Sequence, residues 1–170
     1  MSSFLLSQLL VGVAFFFDLA SFQFREKRKV LACLVFSALL LGYHFYLVEA
    51  YTAAVLGFIA AARFITAMFT SSRWLLALFL GLVLGNAVIS FAGIATVLAT
   101  LGATITTTAS FLASDRRFRE LMAVGIVIWI AHNALVGSPG AVVLETFFLG
   151  SNLVGYYRFY LRKPGAGAGN

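Results

Sequence analysis

Seven apolar runs separated by short polar breaks make up almost the whole chain. They cover residues 4–22, 30–48, 51–69, 74–91, 93–113, 121–136 and 141–161. Each is close to the roughly 20 residues that a helix needs to cross about 30 Å of hydrocarbon. The runs are continuously apolar and do not alternate with period two, which predicts helices and argues against a β-barrel. The expected fold is therefore an all-α membrane protein with seven transmembrane helices. The break between runs four and five rests on Ala92-Gly93 alone. Between runs six and seven, Gly137-Ser138-Pro139-Gly140 is a strong turn signal.

The polar breaks are unequal. Lysines and arginines crowd into the breaks after runs one, three and five and into the tail after run seven. Only Arg63 and Arg158 fall inside runs, each in the half nearest that same side. The positive-inside rule then predicts an outside N-terminus and a cytoplasmic C-terminus. Composition agrees with a lipid solvent: 62% of the 170 residues are hydrophobic and 11% are charged, against roughly a quarter charged in ordinary globular domains. The net charge of +6 does not form a soluble basic face, so nucleic acid is not an expected partner. The basic loops fit anionic lipid headgroups instead. No basic residue precedes the first run, so it is expected to be a retained span rather than a signal peptide.

Cys33 is the one cysteine, which excludes an internal disulfide or a CxxC pair. No phosphate-binding loop, HExxH or GxSxG sequence is present, so neither an enzyme nor a bound cofactor or metal is expected.

The two halves of the chain echo each other. Ala20-Ser21-Phe22 precedes the first basic loop and Ala109-Ser110-Phe111 the third. His44 and His132, the only histidines, fall at the same depth of runs two and six, an offset of 88–89 residues. Arg63 and Arg158 are read as closing the two units, the second being longer after its histidine. This predicts a 3+1+3 plan: a first three-helix unit at 1–70, a linker helix at 71–92, a second unit at 93–162, and a disordered tail at 163–170. An odd number of connecting spans makes the units parallel, with a site expected between them near the midplane.

The run His132-Asn133, Gly137-Ser138, Gly140, Glu145, Asn152 and Arg158, together with Gly42, His44 and Phe45, resembles the YgjV-type bacterial inner membrane protein family. That resemblance implies an inner-membrane location. The 3+1+3 plan is similar in architecture to the SWEET and PQ-loop transporters, although the chain has no Pro-Gln pair and no intramembrane proline.

Candidate site residues are the polar groups stranded in apolar runs, which are expensive there and so face the bundle interior. Asp18 is read as a proton or cation site, as a structural partner of an arginine or hydroxyl, or as a residue near enough to the interface to stay wet. His44 and His132 either relay protons or bond across a helix interface. Asn133, Glu145 and Asn152 are expected to converge with His132 on one polar patch joining runs six and seven. Arg63 and Arg158 grip an anion, pair with Asp18, or snorkel to headgroups. Thr96, Thr100, Thr104 and Thr108 form a hydroxyl stripe. The expected function is transport of a small polar solute by alternating access, with homo-oligomers allowed. The alternative is a non-transporting scaffold, receptor or partner subunit.

Overall fold

A backbone amide or carbonyl facing lipid has no water to bond, so each apolar run satisfies its own backbone by coiling into a helix. The computed structural model describes residues 3–49 and 51–162. Its helices are α1 (Ser3–Ser21), α2 (Lys27–Leu47), α3 (Tyr51–Phe69), α4 (Arg73–Ile89), α5 (Ile94–Phe111), α6 (Asp115–Leu135) and α7 (Pro139–Tyr156), followed by a π-turn at Tyr157–Leu161. No strand occurs among the described residues. The tail expected to be disordered lies outside them. By length and composition α2, α5 and α6 can cross a membrane as they stand, while α1, α3 and α4 are apolar but shorter in the stretches that qualify.

The helix ends show how local chemistry sets the boundaries. Gly93 takes φ 75°, a left-handed value open to glycine, and separates α4 from α5. Gly137 takes φ 72° before Pro139 opens α7 at its first turn. Two expected loops are instead the first turns of helices. Residues 115–120 belong to α6, because the Ser114 hydroxyl accepts from the Arg117 amide and caps it. Likewise, α2 begins at Lys27, whose amide donates to Asp115 Oδ1 at 3.2 Å.

In the packing, α2 lies between α1 and α3, and α6 lies between α5 and α7. Thinner seams join α1 to α7 and α3 to α5, and α4 packs mainly on α5. Helices α2 and α3 cross closely at Gly42 and Gly57, where a Cβ on Gly57 would stand 2.9 Å from Gly42 Cα. Large apolar side chains point outward in numbers that water would not tolerate; Phe16 is 70% and Ile89 88% exposed.

The buried core is gathered at one end of the bundle. Phe22, Val30, Leu31, Phe64, Phe111, Phe118 and Met122 come from the end of α1, the first halves of α2 and α6, and the last halves of α3 and α5. This is the end that carries the basic loops.

One spacing recurs. Helices α6 and α7 start 88 residues after α2 and α3. The positive-φ residues Glu49 and Gly137 keep the same interval. The expected lengthening of the second half after His132 is therefore absent at the start of α7, and Arg63 stands at the position of Ser151, not Arg158.

Candidate functional site

A cavity of about 360 Å³ opens at the basic end among Glu26, Lys27, Arg28, Thr70 and Asp115, and two others lie within the bundle at the α3–α5 and α1–α7 seams. The larger, of about 510 Å³, is bounded by α3, α4, α5 and α6. It extends from Ser90 and Ala92 at the α4–α5 turn to Arg63 and Thr107 deeper in the bundle. Its α5 wall follows the helical period through Ala95, Ala99, Ala103 and Thr106. The threonine stripe with strict spacing four drifts off this face. Thr96 and Thr100 line the cavity; Thr104 and Thr108 do not. The Thr100 and Thr108 hydroxyls bond back to the carbonyls of Thr96 and Thr104.

Besides these hydroxyls, Arg63, His132 and Asn86 supply the polar chemistry of the cavity. Arg63 Nη1 donates to Thr107 Oγ1 at 2.6 Å. His132 Nδ1 bonds the Ala95 carbonyl at 2.9 Å. A carbonyl only accepts, so Nδ1 carries the proton and Nε2 of the neutral ring is left as an acceptor. Asn86 of α4 presents an amide. Trp129 stands edge-on to the His132 ring at 5.4 Å between centroids.

The smaller cavity, of about 180 Å³, lies between α1, α2 and α7. Asp18 and Glu145 both line it. Ser37 is the hydrogen-bond partner of Asp18, whereas Glu145 Oε2 is buried with no partner. Several residues here stand 88 positions before residues of the larger cavity. Val11 and Ala99, Asp18 and Thr106, and Leu41 and Trp129 are such pairs.

Reciprocal bonds hold the basic end together. Lys27 of α2 donates from Nζ to the carbonyls of Ser110 at 3.0 Å and Leu112 at 2.5 Å, at the end of α5. Arg119 of α6 donates to the carbonyls of Phe22, at 2.9 Å, and Phe24, at the end of α1. A cation at a helix C-terminus satisfies orphan carbonyls and meets the negative end of the helix dipole. Asn152 Nδ2 donates to the Arg119 carbonyl at 2.9 Å. Ser151 Oγ donates to the Leu19 carbonyl at 2.6 Å, and Arg158 Nη2 to that of Gln23 at 2.8 Å.

The expected polar patch of His132, Asn133, Glu145 and Asn152 is thus dispersed. His132 lines the larger cavity and Glu145 the smaller. Asn152 is buried in the basic-end network. Asn133 is half-buried and lines neither cavity; its carbonyl accepts from the Ser138 amide. Neither arginine pairs with Asp18: Arg63 meets Thr107 and Arg158 meets Gln23. His44 Nδ1 bonds the Ser7 carbonyl at 3.1 Å.

Lys27 and Arg119 were not singled out by sequence reasoning, and Asn86 was left without a role. Phe118 and Met122, flanking Arg119, are the one available signal that it sits on a buried face. Among the described residues no group of three or more His, Cys, Asp or Glu is placed to hold a metal ion.

Over residues 5–163 the chain matches the family Imp-YgjV, described as bacterial inner membrane protein. It is similar to Inner membrane protein YgjV of Escherichia coli (strain K12), with 27% identity over 165 residues, 95% of this chain and 90% of that protein. No solved structure matches.

Proposed function

The chain belongs to the Imp-YgjV family of bacterial inner membrane proteins, and on that premise we propose that it moves a small polar solute across that membrane. The two halves, α1–α3 and α5–α7, act as like-oriented three-helix units joined by α4. The recurring 88-residue interval and the exchangeable seams, α1 to α7 and α3 to α5, support this plan. Parallel repeats of this kind hold a substrate at their interface and rock about an axis along the membrane normal. The basic end faces the cytoplasm by the positive-inside rule, which leaves the N-terminus outside.

The observation that carries the reading is the larger cavity. It is roomy enough for a small metabolite, sits at a seam between units, and is lined by an arginine, a histidine, an amide and several hydroxyls set in mainly apolar walls. The buried core gathers at the basic end, which supports reading this arrangement as outward-open. Lys27 and Arg119 serve as the inner gate, since each ties its own unit to the first helix of the other. The smaller cavity supplies the coupling site. Two carboxylates facing one narrow apolar space repel each other, and a proton or a monovalent cation between them removes that repulsion.

Thermal unfolding of the purified protein across a panel of small metabolites tests the proposal. A ligand that binds only the folded form at 100 times its Kd stabilises it by about 2.7 kcal/mol. At least one solute is expected to raise the Tm and to be taken up by proteoliposomes. A panel with no hit, or hits untouched by Thr100→Val and Asn86→Ala, favours the scaffold alternative.

A further inference from the structure

The proposed solute site, on which this inference rests, holds a cation and no anion. Arg63 sits within α3 with Thr107 as its hydrogen-bond partner and its guanidinium over the Phe64 ring at 4.6 Å. Its Nε is buried and unpartnered. The ion pairs among the described residues are Lys29 with Glu26 and Arg116 with Glu120, both exposed. Asp18 and Glu145, the carboxylates inside the bundle, line the other cavity. Arg63 is half-buried on the cavity wall and its Nε has no partner; an opposite charge with good geometry compensates such a guanidinium. Its planar fork matches a carboxylate bidentately.

The rest of the cavity selects the body of the ligand. Leu56, Ile59, Leu82 and Val83 are aliphatic walls, and Trp129 offers an aromatic one. We infer that the ligand is a small organic carboxylate with an apolar or aromatic body, its carboxylate on Arg63 beside Thr107 and its body against Trp129.

Three ring compounds of one size and three charges test this on the full chain in detergent: benzoate, benzamide and benzylammonium. Benzoate is expected to raise the Tm saturably and to alter tryptophan fluorescence. The neutral and cationic analogues are expected to bind at least about tenfold more weakly. Arg63→Gln removes the benzoate effect and Arg63→Lys keeps a weaker one. The charge series in the unaltered protein needs no variant, so a poorly folded Arg63→Gln leaves the test intact. Laurate separates a lipid-borne acid from a water-borne one; either carboxylate acting through Arg63 supports the inference. Equal stabilisation by benzamide, a benzoate effect unchanged in a folded Arg63→Gln, or no response to either carboxylate overturns it. Uptake separates the two claims. Benzoate bound through Arg63 but not transported sinks transport and leaves the carboxylate site. A neutral solute bound and transported sinks the carboxylate and leaves transport.

Discussion

His44 and His132 make the same bond in the two halves of the molecule. Each directs Nδ1 to a backbone carbonyl 37 residues upstream, Ser7 at 3.1 Å and Ala95 at 2.9 Å. The bond pins the second helix of each half to the first near the end away from the basic loops. Both rings therefore have a structural duty, but only His132 also borders a cavity.

That asymmetry separates the two histidines experimentally. His44→Ala and His132→Ala are each expected to lower stability by about 1 kcal/mol, a usual value for an interhelical bond in a membrane protein. Of the two, His132→Ala alone is expected to weaken stabilisation by a bound solute. Thermal unfolding with and without the solute reads both effects, and equal solute responses would count against a site at His132.

The basic-end network makes a stronger demand. Arg119 is 1% exposed and donates to two carbonyls of the other half, while Asn152 holds its own carbonyl. Arg119→Gln is expected to cost about 2–3 kcal/mol, the range for bonds made by a charged donor. Asn152→Ala is expected to cost about 1 kcal/mol. Because both act through one network, the double variant should lose less than the sum, which a double-mutant cycle measures. Strict additivity would mean that Asn152 acts elsewhere.

Removing a carboxylate from the smaller cavity should have the opposite sign. Glu145 carries a buried oxygen without a partner beside Asp18. Glu145→Gln keeps the shape and deletes one of two anions, so it is expected to stabilise by about 1–2 kcal/mol at pH 8. The gain should shrink as the pH falls, since a protonated glutamic acid carries no more charge than a glutamine. Unfolding curves at pH 5 and pH 8 test this; destabilisation at both would assign Glu145 an unseen favourable partner. The same variant is expected to uncouple uptake from a proton gradient.

The sequence was most informative where the physics is one-dimensional. Run length and apolarity predict seven helices, and Gly93 and Pro139 mark breaks that depend on local backbone geometry alone. The histidine interval was also readable, because both rings occupy one register. What failed was rotation about each helix axis. Glu145 and Asn152 lie seven apart on α7, yet one faces Asp18 across a cavity and the other the backbone of α6. Depth alone cannot assign such partners, which is why the expected patch around His132 dispersed. Arg119 stands among the exposed Arg116 and Arg117 in sequence; Phe118 and Met122 hint at its buried face, and its packing on Phe22 and Phe159 shows it as a buried tie.

The central claim is that the larger cavity opens to each side of the membrane in turn, and access to a single thiol tests it most directly. In a Cys33→Ser background, Ala99→Cys places the one thiol on the cavity wall. A membrane-impermeant thiol reagent is then applied from outside in spheroplasts and from the cytoplasmic side in inverted vesicles. The predicted result is labelling from both sides, faster from outside, with Arg119→Gln shifting the balance toward the cytoplasm. Labelling from one side only, unchanged by Arg119→Gln, would contradict alternating access and leave a membrane protein with a fixed crevice.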